Sequence, residues 1–199
     1  MKGMPATLCL LITAASVTGV PLPSAAIQAQ PTQEQIRAAL TRGQEAARQH
    51  SRPDSLYVRF GGSDDGQAGG FLVTKLSSLS VMAAHMALRG LEPSPAEIAQ
   101  VIEASTMLVS SVIFGDSPSF AVDSYMVFDQ GGKTIKPVTV RFDGQAERSA
   151  LWPEKPRFKA KVVASFNYAD FDPTAKTIIT VFPAAGGATS FPVDFAYIE

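Results

Sequence analysis

Three groups of residues have types and spacings that could do chemistry. The first is Gly115-Asp116-Ser117-Pro118, a turn placed directly after the apolar run Val112-Ile113-Phe114. A serine in such a turn becomes a nucleophile only when a general base takes its proton and donors meet the oxyanion. The second group is carboxylates beside turn residues, Asp64-Asp65-Gly66 and Asp170-Phe171-Asp172-Pro173. The former lacks the alternating oxygen ligands and distal Glu of a calcium loop. The latter fits an Asx-type turn as well as a chelating sheet edge. The third group is a row of cations of one parity, Lys155, Arg157, Lys159 and Lys161. In a continuous strand they share one face, opposite Phe158, Ala160 and Val162, and Arg141 can join them from another strand. Such a row can meet an anionic surface, glycan or acidic protein, or be a solvated face that discourages edge pairing.

The six residues Val112 to Ser117 (VIFGDS) resemble the first block of the GDSL, SGNH-type, esterases. The resemblance implies a strand-borne nucleophile at Ser117, served by a histidine in a late D-x-x-H block after a Gly-x-Asn-Asp block. No histidine follows His85, and no Gly-x-Asn-Asp occurs. A turn closing a strand is the simpler reading. His85 lies among Met82, Ala83, Ala84 and Met86 on an apolar helix, where a hydrogen-bonded core or edge role is expected. A metal site would want ligands four residues away, and Val81 and Arg89 stand there. His50 reads as a helix-end residue. No catalytic residue, metal ligand or cofactor is therefore assigned.

The first 29 residues read as an export signal: Lys2, an uncharged apolar stretch from Leu8 to Val20, then Pro21 and Pro23, then small residues. Cleavage is expected after Ala26 or after Ala29. The stretch is shorter than the roughly 20 residues that span a bilayer, so no transmembrane span is expected in the mature chain. The single cysteine, Cys9, lies inside this segment and follows Thr7 and Leu8, which is not a lipid-attachment context. Disulfides and thiolate catalysis are thereby excluded from the mature chain. A secreted or periplasmic location follows as the expectation. Hydrophobic content of 46% with 18% charge fits a packed domain. A net charge of −1 gives no global reason to bind nucleic acid.

The rest of the chain must position these residues. Thr32 and Gln35 form a capping box ahead of Ile36, Ala39, Leu40, Gly43 and Ala47, which predicts a thin-striped helix over about Gln33 to Gln49 that packs loosely or acts as a spacer. A strand is expected over Leu56 to Phe60 and a flexible loop over Gly61 to Gly70. A buried helix is expected over 71–89. Ser94-Pro95-Ala96-Glu97 starts a third helix to about 104, paired with the second as a hairpin. From Ser105 the apolar period turns toward two. Met107 to Phe114 predicts a central strand, with continuation of the third helix as the competing reading. Further strands follow around 120–128, 134–142, 157–168, 176–182 and 189–198. The fold class is thus α+β: a helical segment (30–104), then a small antiparallel β-sandwich (105–199), with an immunoglobulin-like topology as the best guess from strand count and spacing. The expected function is an exported non-catalytic binding or structural module, with a serine hydrolase centred on Ser117 as the alternative. Any anionic partner is expected to contact Arg157, Lys159 and Lys161.

Overall fold

The structure, a computed structural model, describes residues 26–62 and 66–198. Asp64, Asp65 and nearly all of the expected export segment lie outside the described residues. Two capping boxes start helices where the sequence placed them. Thr32 with Gln35 opens α1 (Gln33–Arg48), and Ser94 with Glu97 opens α3 (Pro95–Glu103). Between them come a 3-10 turn led by Pro53 (Pro53–Leu56), β1 (Val58–Gly61), β2 (Gly69–Val73) and α2 (Lys75–Ala87). The chain continues through β3 (Thr106–Gly115), β4 (Tyr125–Gln130), β5 (Lys133–Ile135), β6 (Thr139–Phe142) and β7 (Glu147–Arg148). It ends with β8 (Phe158–Asn167), β9 (Lys176–Phe182) and β10 (Thr189–Asp194).

The strands form two antiparallel sheets, which with the helices make the chain α+β. The larger runs β1-β2-β3-β8, with β6 and β7 in series along the far edge of β8, and the smaller runs β10-β9-β4-β5. One core lies between them. From the larger sheet come Leu72, Val109, Ile113, Val162 and Phe166; from the smaller come Met126, Phe128, Ile179, Val181 and Phe191. The alternation read along β8 is the alternation observed: Ala160, Val162, Ala164 and Phe166 are buried, while Lys159 and Lys161 face out. β3 is central as expected, and α3 stops at Glu103 instead of continuing into it.

Several expectations are corrected. Residues 71–73 are the end of β2, not the start of a helix, because Thr74 caps α2 by accepting the Ser77 N–H. Strands β1 and β2 therefore belong to the larger sheet although they precede Ser105, and the helices α2 and α3 are inserted between two neighbouring strands of that sheet. The run 134–142 is not one strand. Pro137, which cannot donate to a ladder, separates β5 in the smaller sheet from β6 in the larger.

Helix α1 is no spacer. It packs closely along α2, and α2 packs more on α1 than on the expected hairpin partner α3. Small residues allow this approach: Ala39, Gly43, Ala46 and Ala47 are buried on α1, Ser80, Ala83 and Ala84 on α2, and the Ser80 hydroxyl lies 2.9 Å from the Ala39 carbonyl oxygen. Ile36, Ala39, Leu76 and Leu79 form a second, smaller core there.

Lys75 ties this helical unit to the sheets. Only 8% exposed, it donates to the Ile102 carbonyl at the end of α3, where a cation is favourable. Its ammonium lies 5.2 Å from the Tyr168 ring centroid. Burial lowers the Lys75 pKa and pushes the Tyr168 phenol up to about 12, an effect the Lys75 backbone N–H partly offsets. The sign for stability follows. Between about pH 10 and 12 the unfolded chain has lost the Tyr168 proton while the folded chain keeps it, so stability falls as pH rises. Lys75 acts oppositely, since its folded form deprotonates first. Absorbance titration of the four tyrosines will show one ionising last, near pH 12, and Tyr168→Phe will abolish that step.

Candidate functional site

The outward residues of the larger sheet build a groove of about 440 Å³. Register decides its composition. Arg59 of β1 pairs with Phe71 of β2, Gly69 with Val112, Val112 with Lys161, and Phe114 with Lys159. Side chains two residues apart share a face, so Phe71, Val112 and Phe114 make an apolar floor. Arg59 stands at one side, Lys159 and Lys161 at the other. The floor is braced from the side: the Tyr57 ring stacks on Phe71 at 4.8 Å with 13° between planes. Gly69 keeps the middle low, and Gly70, whose missing side chain faces the core, lets β2 run close to β3. A Cβ at Gly70 would lie 2.2 Å from the Ser110 carbonyl oxygen.

Two carboxylates share the groove, Asp143 and Glu147, against three cations. Asp143 is engaged by the backbone, since its Oδ2 accepts the Lys161 N–H at 2.7 Å. Glu147 lies 3.7 Å from the Lys159 ammonium, and Arg59 lies 4.0 Å from the Asp54 carboxylate. These are long, exposed contacts of the kind that contribute little. The cations are accordingly available to a ligand that brings its own anion. Among the described residues that line the groove there is no serine, threonine, cysteine or histidine.

The expected row of cations is thus divided. Lys159 and Lys161 line the groove. Arg157 lies just before β8, outside the groove, and its Nε donates to the Pro153 carbonyl at 3.2 Å. Lys155 pairs with Asp116 at 2.9 Å, and its hydrogen bond holds the Asp116 carboxyl below the ordinary range. Arg141 is exposed on β6, across from Val163. Arg59 was not singled out in the sequence. Its parity against buried Phe60 was a usable signal, but its neighbours were not.

Ser117 is exposed in the turn after β3, and its carbonyl accepts the Phe120 N–H at 3.3 Å. Both histidines belong to the helical unit: His50 lies just past α1, and His85 is exposed on α2, not buried. Asp172 makes the expected Asx-type turn, its Oδ1 accepting the Thr174 N–H at 2.8 Å and the Thr174 hydroxyl at 2.7 Å. Among the described residues no cluster of three or more His, Cys, Asp or Glu is placed to hold a metal ion, and no helix is long and apolar enough to cross a membrane. Comparison with known protein families and with curated proteins gave no match.

Proposed function

We propose that this chain is an exported, non-catalytic binding module whose groove takes a small anion attached to an apolar or planar body. One observation carries the reading: Arg59, Lys159 and Lys161 surround an apolar floor of Phe71, Val112 and Phe114. The cations supply charge complementarity and the floor supplies area to bury, the usual division of labour in a small-molecule site. Lys159 and Lys161 keep the role expected of them, and Arg59 takes the place of Arg157. Rigid strands hold all three cations, so little ordering is needed on binding. Export, to the periplasm or the exterior, is supported by the charged start, apolar run and small-residue end of the first 29 residues. An immunoglobulin-like relationship is supported by strand spacing and by two antiparallel sheets around one core.

Titration with anilinonaphthalene sulfonate, a fluorescent anion on a planar apolar body, tests the groove. Saturable binding of one equivalent that weakens as salt is added supports the reading. Absence of saturable binding, or binding indifferent to salt, overturns it.

A further inference from the structure

We infer that the export signal is cut after Ala26 and not after Ala29, and that the cut precedes folding; this rests on the export reading above. The decisive residue is Ile27. It is only 2% exposed and belongs to the main core between the sheets. Its N–H donates to the Pro173 carbonyl at 3.3 Å, inside the Asp172 turn. Cleavage after Ala29 would remove this side chain from the sandwich. Cleavage after Ala26 keeps it, and the new α-amino group at Ile27 can still donate to Pro173.

Ile27 also holds the sandwich from the end of a short link. Four residues, 28–31, separate it from Thr32, the cap of α1. Retaining Ile27 therefore anchors the start of α1 to the main core, while α1 itself packs in the helical unit.

The chemistry of the bond agrees. Cleavage after Ala26 puts Ser24 and Ala26 at the positions where small residues are wanted, whereas cleavage after Ala29 puts the bulky, β-branched Ile27 at one of them. Timing follows from burial. Ala26 is 6% exposed beside Ile27, and its carbonyl accepts the Gln28 side-chain amide at 3.0 Å. A bond flanked by two buried residues cannot be laid out extended in a peptidase cleft, so the enzyme must reach it while the chain is unfolded.

The test is the intact mass of the exported protein, expressed from the full chain. A form that begins at Ile27 supports the inference. A form that begins at Gln30 overturns it and leaves the export reading standing; a form that keeps Met1 overturns both. A second measurement isolates the role of the side chain. Chains made to begin at Ile27 or at Gln30, each behind an initiator methionine, are compared by thermal unfolding. The Gln30 form will melt about 5–10 °C lower. Equal melting temperatures would remove the structural reason for the choice and overturn it.

Discussion

Phe128→Ala will lower the stability of the domain by about 3–5 kcal/mol. Phe128 is fully buried on β4 of the smaller sheet and stacks at 3.6 Å on Phe166 of β8 in the larger. Phe195 and Phe171 meet its ring edge-on, at 5.5 Å and 5.8 Å. Truncation removes the burial of a whole ring and leaves a cavity walled by three other rings, which cannot collapse without moving one sheet toward the other. The aromatic geometry contributes further, about 0.5–1.5 kcal/mol per pair. Ile178→Ala on β9 of the same sheet is the control. Its side chain points outward and is 45% exposed, so the loss there should stay near about 0.5 kcal/mol. Urea unfolding of both variants measures the difference. A loss under about 1 kcal/mol for Phe128→Ala would mean that the two sheets do not share the core described.

Gly43→Ala will also destabilise, although two effects oppose one another. Alanine is the better helix former by about 1 kcal/mol, and Gly43 sits inside α1. A Cβ at this position, however, would lie 2.1 Å from the Ser80 carbonyl oxygen and 2.8 Å from the Ala83 Cβ. The first obstacle is backbone of α2 and cannot rotate away. The helices must separate, which breaks the contact of the Ser80 hydroxyl with the Ala39 carbonyl and loosens the small core of Ile36, Leu76 and Leu79. Overpacking of this kind costs about 1–3 kcal/mol and prevails over the propensity gain. A rise in melting temperature for Gly43→Ala would show that α1 does not lie against α2.

What was legible in the sequence was local. Both capping boxes act within four residues, so Thr32 with Gln35 and Ser94 with Glu97 marked the helix starts. Along β8 the alternation of Lys159 and Lys161 with Ala160 and Val162 fixed its buried face, because each strand's two faces are set by its own residues. Pairing across long separations was not legible. Nothing near Arg59 announces that β1 and β2 join the sheet of β3 and β8, so the residue that completes the groove escaped notice. The thin, alanine-rich stripe of α1 read as weak packing. Small side chains in fact allow the closest approach of two helices, which a count of large apolar residues misses. Pro137 was a readable signal for the break between β5 and β6, outweighed by the alternation of Val138, Val140 and Phe142.

The groove carries the proposed recognition of an anion. Its most direct measurement is the affinity for anilinonaphthalene sulfonate of the native chain against the double variant Arg59→Glu with Lys161→Glu. Both side chains are exposed, so the variant should fold as the native chain does, which its melting temperature checks. Each reversal replaces an attraction of about 1 kcal/mol at contact distance by a repulsion of similar size. Affinity will therefore fall tenfold or more, about 1.4 kcal/mol at least, and added salt will no longer weaken the binding that remains. An unchanged affinity in the folded double variant would contradict the account: the cations would be a solvated face, and the anion would bind elsewhere.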